Sequence, residues 1–203
     1  MSHLLHMRTS LFGQGGQSSR LADAFVDAWC AHHTPDQVSV RDLAAEPVPH
    51  LDAAGFLAFG QPDGELTAAQ RATLERSQRF IEELRAADVV VLGLPMYNLG
   101  VPSTLKAWFD HVARAGITFR YTETGPRGLL ADRPVFVLAA RGGLYEGTDR
   151  DLQTPYVRQF FALIGIEDLR FVYAEGLAVS ETYRDAALEE ARVRIRELVD
   201  AGP

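Results

Sequence analysis

The sequence predicts a doubly wound α/β protein: a five-stranded parallel sheet in the order 2-1-3-4-5, with helices on both faces. Three observations carry that expectation. Asp88–Pro95 and Pro134–Ala140 are apolar, largely β-branched runs of strand length, as central strands covered on both sides require. Strand-like and helix-like segments alternate over all 203 residues, with no internal repeat and no domain-scale linker, so one domain spanning 1–203 is expected. The three loops with unusual chemistry follow the first, third and fourth strands, which are neighbours around the switch point in that order.

Leu4–Arg8 is expected as the first strand, although His6 and the preceding His3 are poor strand formers. Thr9–Arg20 is a loop rich in Gly, Ser and Thr that feeds a helix with apolar spacing at Leu21, Ala24, Phe25 and Ala28. Hydroxyls at a helix N-terminus suit an anion, because free amides and the helix dipole point at it. No lysine follows the glycines, so a P-loop is excluded, and Ser18 stands where the dinucleotide fingerprint wants a third glycine. Hydroxyls without lysine suit the terminal phosphate of a mononucleotide; an ordinary capped helix would read the same.

Gln37–Arg41 alternates as a second strand. Leu43–Leu66, with Pro47, Pro49 and Pro62, is expected to be irregular, and either walls a site or packs on its own core. Thr67 and Gln70 form a capping box for a helix over 68–85, with Leu74, Ser77, Ile81 and Leu84 along one side. The organising stretch follows: the strand ending at Pro95, a short loop carrying Tyr97 and Asn98, and a helix with Leu105, Trp108, Phe109 and Val112 on one face. A flat aromatic, a carboxamide and backbone amides suit a planar, hydrogen-bonding ring system. Ile117–Leu130 is expected as a hairpin around a Gly125-Pro126 turn, with Tyr121 either beside a bound ring or packed locally. Gly142-Gly143 after the fourth strand permits close approach of backbone to a ligand. A helix over 152–164 is expected to turn Tyr156, Phe160 and Leu163 inward and to be capped by Gly165. Asp168–Ala174 is the fifth strand, and Thr182 and Asp185 are expected to open the last helix, with Leu188, Ile195, Leu198 and Val199 facing in.

Composition narrows the function classes. An apolar fraction of 47% supports a substantial core, and a net charge of −7 without a basic run argues against nucleic acid or an anionic membrane as partner. The single cysteine, Cys30, rules out an internal disulfide. Without a signal-like N-terminus or a membrane-length apolar stretch, a soluble cytoplasmic protein is expected. No catalytic triad, metal-ligand cluster or paired-carboxylate motif stands out. His111 reads as structural or surface, and Lys106 and Asp110 as a solvated, weak pair. The lack of acid–base machinery agrees with an enzyme whose chemistry belongs to a cofactor.

Several stretches then carry a specific resemblance: Pro95-Met-Tyr-Asn98, Leu105–Asp110, Val112–Gly116 continuing as Thr-Phe-Arg-Tyr-Thr-Glu, Gly125–Leu129, Arg141-Gly-Gly143, and the flanking Val40–Ala44, Thr154–Tyr156, Ile164–Ile166 and Ala174–Gly176. In these the chain closely resembles the FMN-dependent NADH azoreductases (NADH:quinone oxidoreductases) over nearly its whole length. The resemblance implies a flavodoxin-like three-layer sandwich, a homodimer, and one FMN per subunit at the dimer interface. It places the FMN phosphate at Ser10, Gly16, Gln17 and Ser18. It places the ring system against Met96, Tyr97, Asn98 and Leu99, with Ala140, Arg141, Gly142 and Gly143 on the other edge, and a substrate pocket at Tyr121, Leu99 and Tyr145. Asn98 and the amides of Met96, Tyr97, Gly142 and Gly143 would bond the ring edge, and Arg141 would lend it positive charge. Gly16 stands where members often carry Ser, Leu99 replaces a common Phe, Ala140 a common Ser, and Tyr145 the His of some members; these changes imply weaker FMN retention or an altered acceptor preference.

The implied activity is ping-pong hydride transfer from NADH or NADPH to a quinone or azo compound. A flavodoxin-type electron carrier, an NAD(P)H-dependent flavin or nitroaromatic reductase, and a cofactor-free scaffold are the rival readings. Arg20, Arg120 and Arg127 are unranked candidates for meeting a 2′-phosphate.

Overall fold

A computed structural model of the chain describes residues 2–60 and 66–202. Five strands, β1 (His3–Arg8), β2 (Gln37–Asp42), β3 (Val89–Pro95), β6 (Val135–Ala140) and β7 (Leu169–Ala174), form a parallel sheet in the order β2-β1-β3-β6-β7. This is the expected 2-1-3-4-5 arrangement. Two further strands, β4 (Phe119–Thr122) and β5 (Gly125–Gly128), form a separate antiparallel hairpin.

The pleat of β3 shows why helices cover both faces. Val89 and Val91 face α1 (Gln17–His33) and α6 (Glu181–Ala201), packing with Phe25, Trp29, Phe136, Ile195 and Val199. Val90, Leu92 and Leu94 face α3 (Ala68–Ala86), α4 (Ser103–Val112) and α5 (Gln153–Ile164), packing with Ile81, Leu84, Trp108, Phe109 and Phe161. Alternate side chains enter opposite cores, so the strand must be apolar throughout. The expected face of α4 is wholly buried, and the Thr67/Gln70 capping box opens α3 with both of its reciprocal bonds. Gly165, at φ 102°, caps α5.

Five local expectations are corrected. The segment after Leu43 is not wholly irregular: Ala53–Ala58 forms a short helix, α2, capped by the Asp52 carboxylate on Gly55 N at 2.7 Å; Pro62 and its neighbours lie outside the described residues. In α1 it is Ala22, not Ala24, that faces the core. Tyr156 is 37% exposed, and Val157, Phe160, Phe161 and Ile164 make the inward face of α5. The cap of α6 is Ser180, which accepts from Tyr183 N at 3.1 Å, so Thr182 already lies inside the helix. The hairpin turns at Glu123 and Thr124, because Thr122 pairs with Gly125 and Pro126 lies within β5.

Two close approaches position the carboxyl edge of the sheet. A Cβ on Gly93 of β3 would lie 3.0 Å from Ser18 O, so glycine lets the first turn of α1 settle on the central strand. A Cβ on Gly128 would lie 2.1 Å from Gly165 N, so the base of the hairpin rests backbone-to-backbone on the end of α5. On β1, His6 is buried and its Nε2 has no hydrogen-bond partner among the described residues; Asp23 Oδ1 is 3.6 Å away and is bonded to Arg8. Burial, with help from Arg8, holds the His6 imidazole down at about 4 against the opposing pull of Asp23.

Candidate active site

The loops after β1, β3 and β6 meet at the carboxyl edge, where open α/β sheets bind ligands. The first loop makes a single 3-10 turn, Gly13–Gly15, and enters α1 through Gly16. No side chain caps this helix. Its first internal bond runs from Arg20 N to Gly16 O, which leaves the amides of Gln17, Ser18 and Ser19 without an acceptor among the described residues. The Ser18 and Ser19 hydroxyls are buried and likewise unpartnered. Leaving a hydroxyl buried and unbonded costs about 1–3 kcal/mol. Two such groups and three free amides at one helix start form a cradle with the donors an anion would need; the sequence singled out Ser18 for that role and not Ser19.

Ser10 closes the other side of the cradle. Its hydroxyl accepts from Phe12 N at 3.2 Å and lies 3.3 Å from the Tyr97 hydroxyl, which itself accepts from Leu11 N at 3.2 Å. A Cβ on Gly16 would stand 2.1 Å from Ser10 Oγ. Glycine at 16 therefore gives the Ser10 hydroxyl its space, and Tyr97, expected as a flat platform, also ties the β3 loop to the β1 loop.

The second loop is tighter than the sequence conveyed. Tyr97 and Gly100 exchange both backbone bonds, at 3.2 and 3.0 Å, around Asn98 and Leu99, whose φ values are 49° and 67°. Two consecutive positive φ angles are the type I′ pattern; asparagine tolerates it and leucine does not. The amide of Met96 donates to Ala140 O and that of Tyr97 to Gly100 O. These two expected ring donors are thus committed within the protein. The amides of Gly142 and Gly143 have no acceptor among the described residues, while their carbonyls take Ala178 N and Gly176 N.

Arg141 differs most from expectation. Its guanidinium is fully buried and every donor is taken: Nε by Gln153, one terminal nitrogen by Asp151 and Glu175, the other by Asp151 and Thr154. It lies 4.8 Å from the centre of the Tyr173 ring. Two carboxylates neutralise the charge that was to serve a ligand, so backbone is what Arg141 offers the site. Burial alone would raise the Asp151 carboxyl, but the Thr154 amide and hydroxyl and the Arg141 guanidinium outweigh it and hold it low. Glu175 also accepts from the amides of Tyr145 and Glu146, pinning the β6–α5 loop. Burial first, and then the Glu175 charge, push the Glu146 carboxyl up. Tyr145 folds over Gly143, where a Cβ would meet its hydroxyl at 2.9 Å. Gln153 and Asp151 carried no sequence signal, since polar residues near helix ends read as solvated; Glu175 lay within the resembling Ala174–Gly176 stretch but drew no role there.

Tyr121 is 78% exposed on the hairpin, its ring edge-on to Phe119. His111 is buried, with Nε2 3.1 Å from Pro49 O, a structural role. The solvated Lys106–Asp110 pair forms at 2.6 Å.

A five-stranded parallel sheet of this order, with an anion cradle at its switch point, defines a flavodoxin-like α/β protein. The chain belongs to the flavodoxin-like fold family, whose profile matches residues 2–199. It is 49% identical over 201 residues to an FMN-dependent NADH:quinone oxidoreductase of Cellvibrio japonicus, covering 99% of this chain and 100% of that one. It is 53% identical over 190 residues to the enzyme of the same name from Alcanivorax borkumensis, covering 94% and 96%. Among solved structures, an FMN-dependent NADH-azoreductase from Bacillus anthracis, crystallised with FMN, superposes with a TM-score of 0.89 at 27% identity over 99% of each chain.

Proposed function

We propose that the chain is an FMN-dependent NAD(P)H oxidoreductase that reduces quinones and azo compounds, built as one FMN-binding domain. The observation that carries the reading is the cradle at the start of α1: two buried, unpartnered serine hydroxyls and three free amides, which fit a dianionic phosphate. The Gln17, Ser18 and Ser19 amides and the Ser18 and Ser10 hydroxyls would hold that phosphate; the Gly16 amide is committed to Gly13 O, and glycine there makes room for the Ser10 hydroxyl. Asn98, Leu99 and the free amides of Gly142 and Gly143 would border the ring system, with Ala140 and Met96 at the strand ends beside it. FMN held there would supply the redox chemistry, hydride acceptance from NADH or NADPH and delivery to the acceptor. The protein's share is orientation, exclusion of water and amide dipoles at the ring edge. Leu99 and Tyr145 would shape the acceptor pocket.

A homodimer fits the exposed apolar side chains around the same edge: Leu11, Phe12, Leu99 and Leu144 on the loops, Phe56 and Leu57 on α2, and Tyr121 on the hairpin. Such a rim is what a partner subunit covers. Tyr121 would then reach the substrate face of the partner's site. Among the described residues no helix is long and apolar enough to cross a membrane, which agrees with a cytoplasmic enzyme. The test is the visible spectrum of the purified protein after addition of FMN, before and after anaerobic NADH. A flavin spectrum bleached by NADH and restored by a quinone is expected. Flavin that neither NADH nor NADPH bleaches would favour an electron carrier, and failure to bind FMN would overturn the reading.

A further inference from the structure

Gln153 is the first residue of α5 and is fully buried. Its Nε2 donates to Pro95 O at 2.9 Å and to Gly100 O at 3.0 Å, and its Oε1 accepts from Arg141 Nε at 3.3 Å. Pro95 and Gly100 are the two ends of the Met96–Leu99 turn, and Arg141 opens the Gly142–Gly143 segment. One planar carboxamide therefore spans the turn and links it to the glycine pair. The strand pairing between the two loops ends at the bond from Met96 N to Ala140 O. Past that point, among the described residues, Gln153 makes the only side-chain hydrogen bonds that join them. Its orientation is set in turn, because Arg141 is immobilised by Asp151, Glu175 and Thr154.

We propose that Gln153 is a positioning residue that fixes the spacing of the two loop edges between which the flavin ring would lie. It governs the ring's environment, while the α1 cradle governs phosphate affinity. The inference rests on the flavin reading above. It is tested with Gln153→Met, which keeps the volume and removes the hydrogen bonds, and with Gln153→Glu, which keeps the oxygen facing Arg141 and removes the donor to the carbonyls. Ser18→Ala is the comparison. Each apoprotein is titrated with FMN and with riboflavin, which has the ring and no phosphate. The visible circular dichroism and midpoint potential of the bound flavin are measured beside the thermal midpoint of the apoprotein. Both Gln153 variants should lose affinity for FMN and riboflavin by a similar factor, about tenfold, with altered dichroism and a shifted potential. Ser18→Ala should lose affinity for FMN alone and keep the wild-type dichroism. Gln153 variants that are less heat-stable but bind both flavins with wild-type affinity, dichroism and potential would overturn the proposal by itself. A wild-type protein that binds neither flavin would overturn it together with the flavin reading.

Discussion

Two regions on the same sheet edge, one after β1 and one after β6 with β3 between them, handle buried polarity in opposite ways. At the start of α1, hydroxyls and amides are buried or half-buried with no partner among the described residues. Around Arg141, a buried cation has all its donors taken by two carboxylates, a hydroxyl and a carboxamide. The first arrangement is costly until something binds; the second is complete without a ligand. Ligand contact therefore belongs to the region with unmet hydrogen bonds, and the region richest in charge is its frame.

That contrast can be broken hardest at Arg141. Arg141→Ala leaves Asp151 and Glu175 without their cation, and the apoprotein should lose about 3–5 kcal/mol in urea unfolding. A loss below about 1 kcal/mol would mean that the carboxylates relax to water and the frame is not a frame. His6 offers the next largest effect and asks whether every unpartnered group marks a ligand site. It lies mid-strand on β1, and its imidazole titrates at about 4 in the folded protein against 6.5 when unfolded. Below 6.5 the unfolded chain binds the extra proton first, so stability falls as pH drops from 6.5 to 4, by about 3 kcal/mol in all. His6→Val should flatten that part of the pH profile, measured by chemical unfolding; an unchanged slope would place the acid sensitivity elsewhere.

Smaller effects sharpen the comparison at the cradle. Ser18→Ala removes a buried hydroxyl that has no partner, so apoprotein stability should hold or rise by up to about 1 kcal/mol while FMN binding weakens by about 1–3 kcal/mol. Loss of both would make Ser18 part of the frame. Smallest is Leu99→Gly. Leucine at φ 67° is strained, and relief should raise stability by about 1 kcal/mol in thermal unfolding. A fall would show that the exposed leucine side chain packs for more than its backbone costs.

Much of the architecture was legible because the residues that set it act through pattern. The runs at Val89–Pro95 and Val135–Ala140, the face of α4 and the Thr67/Gln70 box are local signals that packing reinforces. Strand ends then located the three loops. Direction of side chains was not legible. Arg141 beside two glycines reads as a ligand contact, and only the fold shows Asp151 and Glu175 arriving from α5's entry and the end of β7 to enclose it. The Met96 amide looked available until the parallel pairing of β3 with β6 ran on to Ala140 O, and the Tyr97 amide until the turn's positive φ angles at Asn98 and Leu99 folded it onto Gly100. Six-residue α2, with Phe56 and Leu57 outward, has too few turns to show a period.

The backbone-to-backbone seat of Gly128 on Gly165 has a consequence for anyone who wishes to redesign the acceptor pocket. Gly128 cannot accept a side chain while Gly165 stays where it is, and a Cβ on Gly165 would meet Leu130 O at 2.7 Å, so the root of the hairpin offers no adjustable hinge. Its reach and tilt are instead open to change at Glu123 and Thr124, where the chain reverses in solvent. Libraries aimed at Tyr121's surroundings should vary the tip and leave the root alone.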